Sequence, residues 1–158
     1  MSDYALPHDE HRKILNEEIF PDSGLLKKSP FDRPTAIILG GQPGSGKGRL
    51  AEAAELELSG DAVKIDPDEL RDFHPQVKAL RNAHPYTWSG YTHPDASQWA
   101  DELLQATIEG KKNLIFDTTL SKGSPPFSRT LTRRPIKAMR SVHVKAQEVH
   151  CRVQAWRG

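Results

Sequence analysis

A lysine closing a glycine-rich turn, two aspartates one residue apart, and a third aspartate ending an apolar run are the residues of this chain best suited to chemistry. The turn is Gly41-Gln42-Pro43-Gly44-Ser45-Gly46-Lys47-Gly48-Arg49, set between the apolar run Ala36–Leu39 and a helical spacing of Leu50, Ala53, Ala54 and Leu58. Backbone N–H groups of such a turn, backed by a helix N-terminus, form a preorganised anion site, and lysine adds a point charge for terminal phosphates. From Gly41 to Lys47 the spacing fits the phosphate-binding rule G-x-x-x-x-G-K, which makes nucleotide-dependent phosphoryl chemistry the first hypothesis. Gly48 stands where that rule has serine or threonine, and Arg49 supplies no hydroxyl either. Mg²⁺ would then rest on water, on the nucleotide phosphates and on an acid at a strand end, Asp117 first and Asp66 second.

The acid pair lies in Ile65-Asp66-Pro67-Asp68-Glu69-Leu70-Arg71, where an apolar run gives way to a helical one. Phosphoryl transfer needs positioning, charge neutralisation and a base oriented on the acceptor oxygen, and one of these carboxylates could take a hydroxyl proton. An aspartate ahead of Glu-Leu-Arg is also a usual helix cap, and the two roles are compatible.

The elements that must hold these groups alternate. A helix is expected over about Asp9–Phe20, where Ile14, Leu15 and Ile19 share a stripe, and a connector with Pro30 and Pro34 follows. Strands are expected at Ala36–Leu39, Ala62–Ile65, Asn113–Phe116 and Ser141–Val144. Helices are expected after the glycine turn, near Asp68–Phe73, at Val77–Leu80 and over Ser97–Ile108, with Asn82–Pro94 as a loop and the last residues, around Arg152 to Arg157, on a final helix. Such alternation predicts an α/β fold, a mainly parallel sheet with helices on both faces and ligands beyond the C-terminal strand ends; the glycine motif makes the P-loop nucleoside triphosphate hydrolase or kinase kind the expected one. Residues 1–34 read as an N-terminal helix and connector, and 35–158 as the kinase-like domain.

Composition bounds the alternatives. At 158 residues with a net charge of +1, the chain describes an ordinary globule of about one domain, and its charge does not argue for nucleic acid. The single cysteine, Cys151, excludes an internal disulfide; the start lacks a basic and apolar leader, and no apolar run nears the ~20 residues of a membrane helix, so a cytoplasmic protein is expected. The seven histidines include His74, His84 and His93, each before proline, and none has metal-ligand spacing. Tyr86, Trp88 and Tyr91 suit either stacking on a base or packing on the core. Arg129 to Arg157 is strongly basic, a solvated face or a surface for polyphosphate or an acidic partner.

Three separated stretches, Leu39 to Lys47, Ile65 to Arg71 with His74-Pro75, and Asn113 to Leu120, together resemble the zeta toxin family of P-loop kinases, and the likeness runs from about Asp9 to the C-terminus. The resemblance implies transfer of the γ-phosphate of ATP or GTP to the 3′-hydroxyl of UDP-N-acetylglucosamine, by a toxin with an antitoxin partner or by a stand-alone homologue. It implies Lys47 on the phosphates, Asp68 as general base with Asp66 supporting the turn, and Asp101 (or its neighbour Glu102) on the sugar nucleotide. Asp117 and Thr119 match the Glu-x-Thr that ends the third strand, with Asp in place of Glu. Arg157, or alternatively Arg152, matches the first lid arginine, whereas Ser121-Lys122 stands where the family often has Arg. Family members usually continue beyond Gly158, which makes a C-terminal truncation the expectation. A nucleotide-binding remnant without turnover, or a kinase with another acceptor, are the competing readings.

Overall fold

The computed structural model describes residues 4–40, 47–118, 140–145 and 148–155. The chain begins with one helical run: α1 (His8–Ile14), a π turn (Leu15–Ile19) and α2 (Phe20–Ser23). The Phe20 N–H donates to the Leu15 carbonyl, one residue beyond α-helical register, just ahead of Pro21, which has no N–H to give. Gly24 ends the run in the left-handed region at φ 71°, where a side chain would be strained.

Strand β1 (Thr35–Gly40) leads to α3 (Lys47–Glu57) and β2 (Val63–Ile65). Then come α4 (Pro67–Leu70), a 3₁₀ turn (Arg71–Phe73), α5 (Val77–Ala83) and the long α6 (Trp88–Glu109). The sheet is completed by β3 (Leu114–Thr118), β4 (Arg140–Lys145) and β5 (Glu148–Ala155). Strand order is β2-β3-β1-β4-β5, parallel throughout except for the antiparallel β4–β5 pair. The α/β architecture expected from the alternation is the one found. β1 sits centrally, and the chain leaves it toward β2 on one side while β4 lies on the other, which opens a crevice at its C-terminal end.

Two apolar layers sandwich the sheet because successive strand side chains point to opposite faces. Ala36, Ile38, Val63, Ile65, Leu114 and Phe116 face Ile14, Leu15 and Ile19 of the N-terminal run and Trp99, Leu103 and Leu104 of α6. Ile37, Leu39 and Ile115 face Ala51 and Ala54 of α3. Each large aliphatic side chain buried this way contributes about 1.5–3 kcal/mol.

Two expectations fail. The stretch expected as a loop over Asn82–Pro94 is largely helix, since α6 starts at Trp88 and takes in Pro94. Pro94 costs the bond to the Gly90 carbonyl, but both residues are exposed, where water substitutes, and the Thr92 hydroxyl and the Arg71 guanidinium bond the neighbouring Ser89 carbonyl. The final segment is a strand, not a helix: Val149, Cys151, Val153 and Ala155 alternate with Glu148, His150, Arg152 and Gln154, a period of two that suits a ladder beside β4. Arg152 therefore lies opposite His143 in the sheet.

Candidate active site

Sheet register brings the three acids to one edge. Ile65 pairs with Phe116, and Leu39 pairs with Asp117, so Asp66, just past β2, and Asp117, next to last in β3, lie level with the end of β1. Gly40 pairs with Thr118 on one side and Lys145 on the other, and the next element in the chain, α3, begins at Lys47. Gly48 and Arg49 occupy the first turn of α3. Of the other residues singled out, Gly41, Gln42, Pro43, Gly44, Ser45, Gly46, Thr119 and Arg157 lie outside the described residues.

Asp66 caps α4. Its backbone is extended at φ −130°, its Oδ1 accepts the Asp68 N–H at 2.9 Å, and Pro67 follows with the φ that a first helical turn needs. Leu70 plugs that turn into the core, which fixes where the strand hands over to the helix. Burial pushes the Asp66 carboxyl above its ordinary range; the Asp68 N–H opposes this, and the charges of Asp117, Glu69 and Asp68 add to the rise. Asp68 points outward, two-thirds exposed, with Oδ1 accepting from Arg71 Nε at 3.2 Å. Lys64 lies 3.6 Å from Glu69.

Beside this edge is a cleft of about 380 Å³ between the N-terminal helical run and β2–α4, lined among others by Ile19, Asp22, Lys64, Asp66, Glu69 and Leu103. Its carboxylates outnumber its cations. Among the described residues no three His, Cys, Asp or Glu side chains are grouped to hold a metal by themselves. Mg²⁺ does not require that: it commonly takes one or two carboxylates, completing its shell with water and phosphate. The mutual charge of Asp66 and Asp117 suits such an ion.

Asp101 stands apart, half-buried on α6 with Oδ1 buried and lacking a hydrogen-bond partner among the described residues. Burial, then the charge of Glu102, raises its carboxyl. Its alternative, Glu102, is committed elsewhere: Oε2 lies 3.1 Å from His11 Nε2. Tyr91 packs on His84 and Tyr4, Trp88 lies under the Arg81 guanidinium, and Tyr86 is exposed.

Sequence reasoning missed the His11 group and the role of Arg71. His11 Nδ1 meets Asp95 Oδ1 at 2.8 Å, and the imidazole stacks on Trp99, whose indole N–H donates to the His11 carbonyl. His74, in the His-Pro pair, is a buried structural residue whose Nδ1 accepts the Gln76 N–H and whose Nε2 donates to the Tyr4 carbonyl. Arg71 was the second omission, although its place three residues after Asp68 is the spacing of a helical ion pair.

Among the described residues no helix is long and apolar enough to cross a membrane. The family model described as zeta toxin matches residues 22–151. Toxin zeta of Streptococcus agalactiae is 32% identical over 119 residues, which is 75% of this chain and 40% of the relative. Toxin PezT of Streptococcus pneumoniae is 31% identical over 93 residues, 59% of this chain and 37% of the relative. The chain thus spans about two fifths of the curated relatives' length. A solved structure of the PezAT chromosomal toxin–antitoxin system of S. pneumoniae superposes with a TM-score of 0.80 at 24% identity, covering 92% of this chain and 59% of that one, and agrees in fold. With the glycine-rich sequence ahead of α3, the capped acid pair after β2 and a family match across most of its length, the chain belongs to the zeta toxin family.

Proposed function

We propose that the chain carries the phosphate-donor and base-bearing part of a phosphotransferase that moves the γ-phosphoryl group of ATP or GTP to the 3′-hydroxyl of UDP-N-acetylglucosamine. The observation that supports this most is the register that sets Asp66 and Asp117 at the edge where β1 runs toward α3, with Asp68 displayed outward beside them. The turn 41–49, with Lys47, would take the donor phosphates through backbone N–H groups and one ammonium. Asp68 would accept the proton of the acceptor hydroxyl as its oxygen bonds to the γ-phosphorus and the bond to the β-phosphate oxygen breaks, leaving the nucleoside diphosphate. Mg²⁺, when bound, would offset the phosphate charge, held by Asp117 with Asp66 as the second acid because Gly48 has no hydroxyl. Asp101, with its open buried oxygen, and Thr119 would bind the sugar nucleotide, and Arg157 would stabilise charge on the moving group. A toxin acting this way would have an antitoxin protein as its partner.

Incubation with ATP, Mg²⁺ and UDP-N-acetylglucosamine, followed by mass spectrometry, should give a phosphorylated sugar nucleotide. Lys47→Ala should abolish it, and Asp68→Asn should slow it by about 10²–10⁴-fold, the range for loss of a positioned base. Gly48 favours a second reading, a nucleotide binder without turnover. ATP binding with no product at high protein concentration would establish that reading and sink the first.

A further inference from the structure

We infer that Arg71 is a positioning residue for the proposed reaction: it ties the Asp68 carboxylate to the first turns of α6 and so sets the direction in which that base faces. The two ends of this pair differ. The Arg71 side chain is 12% exposed, whereas that of Asp68 is 67% exposed. One terminal guanidinium nitrogen donates to the Ser89 carbonyl and lies 3.4 Å from the Thr92 hydroxyl, and the other lies 3.4 Å from His93 Nδ1. Nε donates to Asp68 Oδ1. All three nitrogens therefore have protein partners, and of the five N–H donors only one, on the nitrogen facing His93, is left without one.

What the bracket holds is otherwise weakly held. α4 is a single turn, and a carboxylate on it rotates about two side-chain bonds. α6 is the firm body, 22 residues long and packed through Trp99, Leu103 and Leu104. With Oδ1 occupied by Arg71, Oδ2 is the oxygen that the bracket leaves for an acceptor hydroxyl. An ion pair exposed at its acidic end adds little stability, so its effect falls on geometry. Misplacement of a reacting group by about 1 Å can cost on the order of 100-fold in rate.

This role rests on Asp68 acting as the base. In assays with ATP, Mg²⁺ and UDP-N-acetylglucosamine, Arg71→Met should lower kcat by about 10–100-fold and leave the KM for ATP within about 2-fold. In an Asp68→Asn background the same change should add less than about 2-fold, because the group it positions is gone. Losses that multiply in the double variant overturn the positioning role and leave the base reading intact. Full transfer by Asp68→Asn defeats the base reading and this inference together. A crystal structure of Arg71→Met decides the geometry without turnover: Asp68 should leave its present orientation while its N–H stays bonded to Asp66 and α6 still starts at Trp88. An unmoved Asp68 carboxylate overturns the inference even if the chain phosphorylates nothing.

Discussion

Two groups of carboxylates show how differently one chain treats the same functional group. Around His11 the carboxylates find their hydrogen-bond partners within the protein. Asp95 Oδ1 meets His11 Nδ1, its Oδ2 accepts the Leu6 N–H at 3.1 Å and lies 3.7 Å from His74 Nε2. Glu102 offers Oε2 to His11 Nε2 and Oε1 to the Gln98 amide. Both His11 ring nitrogens face carboxylate oxygens. At the strand ends, Asp66 has like charges for neighbours, and burial plus those charges raise its carboxyl. The first group is completed from within and fastens the N-terminal helix to α6. The second suits completion by a cation from outside, as the phosphotransfer reading asks.

The largest effect that tests this contrast is on stability. His11→Ala removes the shared partner of Asp95 and Glu102 and leaves the buried Asp95 without it, a loss that costs about 3–5 kcal/mol when one partner of a buried pair is removed. Glu102 is partly exposed and Asp95 keeps the Leu6 N–H, so about 3 kcal/mol is expected here, a fall in Tm of roughly 6–12 °C by thermal unfolding. A fall under about 2 °C would mean that the His11 group is not what fastens the helix, and the contrast would break there.

Asp66 gives a smaller, two-part effect. Asp66→Ala removes the α4 cap, for a loss of about 1 kcal/mol. Asp66→Asn keeps an oxygen for the Asp68 N–H and removes the crowded charge. The sign follows from linkage: a carboxyl raised on folding binds protons more tightly in the native state, so its stabilisation is fully present below the unfolded value of 3.8 and is lost as pH rises through the higher folded value. Asp66→Asn should therefore equal or exceed the parent in Tm at pH 7, with the gap closing below about pH 4. An asparagine variant as unstable as the alanine variant at pH 7 would show that the charge itself is wanted there.

Much of the frame was legible because it is local. β1, β2 and β3 are apolar runs that end at chemistry, and the Asp66 cap is decided within two residues. The His11 clamp was not, since its partners lie 84 and 91 positions away and a histidine on a helical stripe shows no sign of them. The start of α6 was hidden by Pro94, whose missing N–H reads as a break unless the Thr92 hydroxyl and the Arg71 guanidinium are known to serve the carbonyl beside the gap. The alternation from Glu148 to Ala155 was visible, but its meaning depends on β4 offering an edge. Arg71 was legible as a partner of Asp68 and illegible as a bracket, because its anchors on Ser89 and His93 are 18 and 22 positions away.

The smallest effect concerns Asp101, which belongs to neither group. It shares α6 with Asp95 and Glu102, yet its Oδ1 is buried without a partner among the described residues, and burial raises its carboxyl ahead of any effect of Glu102. Keeping that charge in the folded state is unfavourable, and the sign is the one worked out for Asp66: the folded form loses stability as pH rises through the raised value. Asp101→Asn should then raise Tm at pH 7, by only about 1–2 °C because roughly half of the group remains in water, with the gain fading below about pH 4. The same variant should weaken binding of UDP-N-acetylglucosamine if the open oxygen serves the acceptor, so stability and binding move in opposite directions. A variant that gains stability and binds the sugar nucleotide as tightly as the parent would place Asp101 outside the site and leave its buried oxygen as a cost with no ligand to offset it.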